Sequence, residues 1–216
     1  QRAFRQMAEA GGCDAAAIRT AVVDGGLMAA LESGRIDWTE FHAELSRRTG
    51  CSAAPDALAH AASDMFTLNV EMLPLIAGLE RTGCGLGILS NTCQPHWEHL
   101  LARGFAVLPG NFREIVLSHE VRAIKPKPEI FATATRRAGV PPEKIFFCDD
   151  IPAHVEAARR AGWQAEVFTS AADLIDQLDR CPALLRQRLL ELARDGRWSA
   201  PTDPPGSSRR FGGRLV

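Results

Sequence analysis

FFCDDIPAHVEAARRAG, residues 146–162, decides the fold. The apolar run Ile145-Phe146-Phe147-Cys148 ends abruptly in two adjacent carboxylates, Asp149 and Asp150, and a helical pattern near 153–161 follows and stops at Gly162. Four apolar residues bounded by polar ones predict a buried strand, and Pro152 suits the first turn of a helix. Downstream, a strand over Ala165–Phe168 and a helix over 171–179 repeat the unit.

The same rhythm extends upstream. A helix over 71–82 stops at Gly83 and leads to the strand Leu86-Gly87-Ile88-Leu89, which ends in the polar loop Ser90-Asn91-Thr92. A helix near 95–103, a strand Ile115-Val116-Leu117 and a helix from Glu129 to Ala138 complete the series. Strands separated by helices of this length predict a parallel α/β sheet. From Ala3 to about Asp64 the pattern is instead helical and Ala-rich, broken at Gly11-Gly12, Gly25-Gly26, Ser33-Gly34 and Gly50, which predicts a small helical bundle. Within it Thr39 is the expected N-cap of a helix that stops at Gly50, residues 55–67 form another helix, and Trp38, Phe41 and Phe66 are expected in the bundle core. Residues 182–194 read as one more helix, and 196–216, rich in Pro, Gly, Ser and Arg, as a disordered tail.

Composition narrows the function classes. At 216 residues and 46% hydrophobic, the chain can bury one substantial core with a small second module. A net charge of -1 supplies no basic stripe, which argues against nucleic acid as a partner. Six cysteines are scattered with no pair at two-residue spacing, as expected for reduced thiols in a cytosolic protein. No apolar run approaches the ~18 residues of a membrane span, and the opening QRAFRQMAEAGG has no signal-peptide character.

Ligands of open parallel sheets bind at the carboxyl ends of the strands. Three such places carry polar groups: Ser90-Asn91-Thr92, Lys125 and Asp149-Asp150. A hydroxyl, an amide, a lysine and paired carboxylates suit a phosphate with a divalent cation, since carboxylates hold Mg2+ through hard oxygens and the others neutralise or donate to phosphoryl oxygens. Each has a plainer reading taken alone. Ser90-Asn91-Thr92 could cap a helix, Lys125 could be as solvated as Lys127, and Asp149-Asp150 could cap the following helix, although adjacent carboxylates repel and call for a cation. Cys93, His96 and His99 recur every three residues, but steps of about 300° separate the first from the third around a helix, so zinc is a poor reading.

Taken together, LSNT at 89–92, IKPKPEIF at 124–131 and FFCDDIPAHVEAARRAG at 146–162 resemble, in order and spacing, three motifs of the haloacid dehalogenase-like (HAD) superfamily. GRIDWTEF at 34–41 resembles the inserted helical cap of the subgroup that holds sugar-phosphate phosphatases, haloacid dehalogenases and the phosphatase domain of soluble epoxide hydrolase. The resemblance spans about residues 1–180. It implies a Rossmann-like core with a parallel sheet over 69–181 and a helical cap, with a remnant of the core linker, over 1–68.

It also implies roles. Ser90 would bind the transferring phosphoryl group, assisted by Asn91. Lys125, rather than Lys127, would bridge nucleophile and phosphate. Asp150 would be the direct Mg2+ ligand, with Asp149 shaping the metal site and pairing with the lysine. The implied activity is Mg2+-dependent hydrolysis of a small phosphorylated metabolite through an aspartyl phosphate, by a cytoplasmic monomer or homodimer.

Two departures stand out: His154 occupies the position where the family usually has Asn, and the motif Asp-x-Asp at the end of an apolar strand is not found. Asp14 and Asp24 lie in helical context and follow no strand. Omitting a central strand would leave buried backbone groups unpaired at roughly 1–3 kcal/mol each, against a total stability of roughly 5–15 kcal/mol. The expectation is therefore a truncated sequence, inactive as it stands. A 2-haloacid dehalogenase, which needs no metal and carries Ser-Ser-Asn at the last motif, and a noncatalytic binding module are the competing readings.

Overall fold

The computed structural model describes residues 2–180 apart from Ala106, Val107, Pro109 and Asn111. The expected helix at 182–194 and the tail at 196–216 lie outside the described residues.

The first part of the chain is helical throughout: α1 (Arg2–Gly11), α2 (Ala15–Arg19), a π-helical turn Thr20–Asp24, α3 (Leu27–Glu32), α4 (Trp38–Thr49) and α5 (Pro55–Ser63). The cap of α4 corrects the sequence reading. Asp37, not Thr39, is the N-cap: its carboxylate accepts from the Glu40 amide at 2.8 Å while the Glu40 side chain accepts from the Asp37 amide at 2.9 Å. This reciprocal box satisfies two of the helix's orphan donors, which Thr39, already inside the first turn, has no means to do. The following helix is also shorter than expected. α5 stops at Ser63, and Phe66 leaves the bundle to pack edge-on against His96, with ring centroids 5.1 Å apart. Ile18, Val22, Leu31, Phe41, Leu45 and Leu58 form the buried core of these helices, and Trp38 stacks on Phe41 at 5.0 Å. Each such side chain contributes about 1.5–3 kcal/mol on burial.

The alternating half follows: α6 (Met72–Arg81), β1 (Gly87–Ser90), α7 (Gln94–Ala102), β2 (Glu114–Leu117), α8 (Ser118–Val121), α9 (Pro128–Ala138), a 3-10 turn at Pro142–Lys144, β3 (Phe146–Asp149), α10 (Pro152–Arg160), β4 (Gln164–Val167) and α11 (Ala171–Asp179). Prolines open α9 and α10 where a missing amide costs nothing. The fold is α/β, as expected, with two details shifted. Ser90 and Asp149 are the last residues of their strands rather than the first of the loops, and α8 is a helix the sequence pattern does not show.

The strands form two parallel ladders. β1 pairs with β2, from Gly87 opposite Glu114 to Ser90 opposite Leu117, and β3 pairs with β4, from Phe146 opposite Gln164 to Asp149 opposite Val167. Among the described residues the two ladders share no strand hydrogen bonds, so the single sheet expected from the alternation is divided between β1 and β3. Ile130, Phe131, Val155 and Trp163 are buried beside them. Phe131, Phe147 and Trp163 meet edge-on, and the Trp163 indole donates to Thr135 at 2.9 Å.

The helical layer rests on the strand layer through α5 against α7 and α3 against α8. Gly34, with φ at +63°, is the tightest point of the second contact, because a Cβ there would collide with the His119 carbonyl oxygen. Gly34→Ala is expected to cost more than about 1 kcal/mol, since both the backbone conformation and the space exclude a side chain. Urea unfolding of the two proteins checks this; coincident midpoints would show that the turn has room.

Candidate active site

β1 and β3 end side by side in function, although no ladder joins them, because Lys125 reaches both. Its ammonium donates to the Leu89 carbonyl at 2.8 Å and to Asp149 Oδ2 at 2.6 Å, and it lies 5.5 Å from the centre of the Phe147 ring. The side chains of Lys125 and Asp149 are 7% and 8% exposed. Taking both charges out of water is tolerable only with hydrogen bonds on every side, and the surroundings supply them.

Asn91 fixes the lysine's backbone. Its Oδ1 accepts from the Lys125 amide at 2.8 Å and its Nδ2 donates to the Lys125 carbonyl at 3.0 Å, leaving one amide hydrogen for a ligand. Among the described residues the Ser90 hydroxyl makes one long hydrogen bond, to the Asn91 carbonyl at 3.4 Å. Asp149 Oδ1 accepts from the Ile151 amide at 2.9 Å and lies 3.0 Å from His154 Nδ1. Burial pushes the Asp149 carboxyl up, but the Lys125 hydrogen bond, the Ile151 amide and the charges of Lys125 and His154 outweigh it and hold the group below the ordinary carboxylate value. Asp150 follows in an exposed bend and makes no hydrogen bond or ion pair among the described residues.

The structure thus brings together Ser90, Asn91, Lys125 and Asp149 and leaves Asp150 beside them, open to solvent. Lys127 stands at the N-terminal boundary of α9, where its side chain makes no capping hydrogen bond, and is not in the cluster. Three residues escaped the sequence reading. Fully buried Ser118 holds the β1 loop, accepting from the Thr92 amide at 2.9 Å and donating to the Thr92 carbonyl at 3.0 Å. His119 approaches the same carbonyl through Nδ1 at 3.1 Å. His154, noted only as a departure, occupies the outer side of Asp149. A polar pair directly after an apolar strand was the available signal for Ser118 and His119. Cys93 is buried at the start of α7, while His96 packs on Phe66 and His99 on His60 at 5.6 Å, so this trio is divided among separate contacts.

An α/β core with a helical layer over one end, and a lysine–aspartate pair shared by two strand ends, define the chain as a hydrolase of one large class. It belongs to the haloacid dehalogenase-like hydrolases, whose family pattern it matches over residues 3–162. Over 94 residues it is 34% identical to the glyceraldehyde 3-phosphate phosphatase of Methanopyrus kandleri; the match takes in 43% of this chain and 39% of that protein's length. Among solved structures it is similar to a predicted HAD-like family hydrolase from Porphyromonas gingivalis, at 28% identity and a TM-score of 0.71, covering 83% of this chain and 89% of that one. It shares its fold with a HAD family enzyme from Bacteroides thetaiotaomicron solved with magnesium and inorganic phosphate, at 22% identity and a TM-score of 0.67, covering 78% and 86%.

Proposed function

We propose that the protein is a phosphomonoesterase that acts on a small phosphorylated metabolite, with Mg2+ and through an aspartyl-phosphate intermediate. The observation that carries this reading is the buried Lys125–Asp149 pair at 2.6 Å, clasped by Asn91 at the end of β1 and followed by an open Asp150. A fixed cation in a low-dielectric setting stabilises the charge that gathers on a phosphoryl group during transfer. The Ser90 hydroxyl and the free Asn91 amide hydrogen are the donors for the phosphoryl oxygens. The Methanopyrus kandleri relative, a phosphatase by name, supports the same direction.

The attacking carboxylate and the proton donor come, in this reading, from outside the described residues. Among the described residues β1 and β3 share no ladder, and Lys125 reaches the ends of both. A strand seated there would bring its last residue beside the ammonium. An acyl phosphate would form and water would then hydrolyse it.

The donor set fits Mg2+, which takes hard oxygen ligands, keeps several waters and needs only one or two carboxylates beside the phosphate. Asp150 would hold it, and Asp149, with both oxygens engaged, would orient the lysine and the loop. The ion would supply positive charge to the phosphoryl oxygens. The same reading makes the protein cytoplasmic, where Cys13, Cys51, Cys84, Cys93 and Cys148 stay free, and a monomer or homodimer with a small molecule rather than nucleic acid or membrane as its partner. The dehalogenase reading is weaker because Asp149 and Asp150 stand where those enzymes carry Ser and Asn.

Hydrolysis of p-nitrophenyl phosphate by the full-length gene product, with Mg2+ and with EDTA, tests the proposal. Turnover is expected to disappear in EDTA, and Asp150→Ala to lower it by about tenfold or more, a loss of at least about 1.4 kcal/mol. A folded protein without metal-dependent turnover would hand the lead to the dehalogenase or the noncatalytic module.

A further inference from the structure

We infer that Cys13 and Cys51 form a reversible disulfide when the protein meets a small disulfide oxidant such as oxidised glutathione, which makes the pair a modification site in the helical layer. The inference is independent of the phosphatase reading and of the strand-end cluster.

Cys13 lies in the turn between α1 and α2, and Cys51 stands two residues beyond the end of α4. Hydrogen bonds fasten these distant segments to each other. The Ser52 amide and the Ser52 hydroxyl both donate to the Gly11 carbonyl, at 2.9 and 3.0 Å. Cys51 Sγ sits so close over Gly11 that a Cβ on that glycine would collide with it. The Cys51 amide donates to the Thr49 hydroxyl at 3.3 Å, and the Cys13 amide donates to the Ala8 carbonyl at 3.1 Å, so the backbone is held on both sides. Cys13, two residues past Gly11, packs on the apolar cluster that contains Cys51, and the two free thiols lie within hydrogen-bonding reach of each other. The other thiols of the described residues stand elsewhere: Cys84 accepts from the Thr82 hydroxyl at 3.1 Å, Cys93 precedes α7 and Cys148 lies in β3.

The two thiols differ in access. Cys13 is partly exposed, whereas Cys51 is buried beside it. The Cys13 thiolate therefore attacks the oxidant first and displaces one glutathione as its thiolate. Cys51 then gives up its proton to solvent and attacks the Cys13 sulfur, releasing the second glutathione. Two protein thiols are oxidised and one glutathione disulfide is reduced. Burial and then Cys51 push the Cys13 thiol up, so its thiolate is scarce at neutral pH and the exchange quickens as pH rises. The bridge closes a loop that holds α2, the π-helical turn, α3 and α4, which restricts the unfolded chain and stabilises the bundle.

The test is oxidation of the full-length protein with glutathione disulfide, followed by alkylation of the remaining thiols, trypsin digestion and mass spectrometry without reductant. Tryptic peptides 6–19 and 49–81 hold one cysteine each, Cys13 and Cys51. They are expected joined, minus two hydrogens, in about tenfold excess over any other cysteine pairing, because thiols on segments more than about 7 Å apart cannot bridge without backbone movement. Dithiothreitol is expected to separate them, and the thermal midpoint of the oxidised protein to lie roughly 5 °C or more above that of the reduced one. C13S and C51S are expected to lose both the joined peptides and the shift, and C84S to keep both. In urea that unfolds the chain, the preference for this pair is expected to vanish. Oxidised native protein that carries glutathione on Cys13 without the bridge, or that pairs its cysteines with no preference, would overturn the inference.

Discussion

Lys125→Ala is expected to lower phosphatase turnover by about 10²–10³-fold, the usual result of removing one preorganised charge partner, and also to cost about 3–5 kcal/mol of folding stability. The second effect follows from burial rather than from any role in turnover. Lys125 and Asp149 are both nearly inaccessible, so truncating the lysine strands a carboxylate that retains only the Ile151 amide and His154. Protonation links the two. In the intact protein Asp149 is held below its unfolded value, so its contribution to stability is present above about 3.8 and is lost as pH falls through the depressed folded value. Without Lys125 the burial that opposes ionisation is left dominant, and the same carboxyl destabilises the fold at neutral pH. Urea unfolding at pH 7 beside steady-state kinetics checks both parts. A variant that loses turnover but keeps its midpoint would show that water reaches Asp149 and that the pair serves the chemistry alone.

The second large effect comes from His96, outside the site. This ring is 6% exposed in the first turns of α7, against Phe66, and burial, then the charge of His99, push it down to about 4 from 6.5. Between those values the unfolded chain binds a proton that the folded chain refuses. Its contribution is therefore complete above pH 6.5 and lost as pH falls toward 4, a difference of about 3 kcal/mol. His96→Phe, which keeps the aromatic contact and removes the titration, is expected to flatten the fall in stability between pH 6.5 and 4 while changing little at pH 7. Unfolding midpoints at pH 7 and 4.5 decide it. An unchanged slope in the variant would place the acid sensitivity in other groups; Asp149 is separable, because its window lies lower.

Much of the candidate cluster could be read from the chain because its parts are local. An apolar run ending in Asp149-Asp150, a lysine before Pro126 and a Ser-Asn-Thr stretch after a strand are each contained within a few residues. The cap of α4 was also within reach: Asp37 and Glu40 stand at capping-box spacing, a pattern that Thr39 does not begin. Ser118 and His154 are different. Ser118 lies 26 residues from the loop it holds, and His154 reads as an ordinary helix residue until α10 turns it onto Asp149. α8, with four residues, is too short to show any helical period.

The sequence by itself determined the alternation of strands and helices, the helical bundle before it and the residue types at the strand ends, because burial imposes a period of two or 3.6 on each element and these periods need no partner to be visible. Only the tertiary structure decided which of those residues meet. Lys125 joins Asp149 across 24 residues and Asn91 across 34. The division of the sheet into two ladders belongs to the same level. Hydrogen bonds between strands and charges in a shared low-dielectric space depend on packing between distant segments, and no local period encodes that packing.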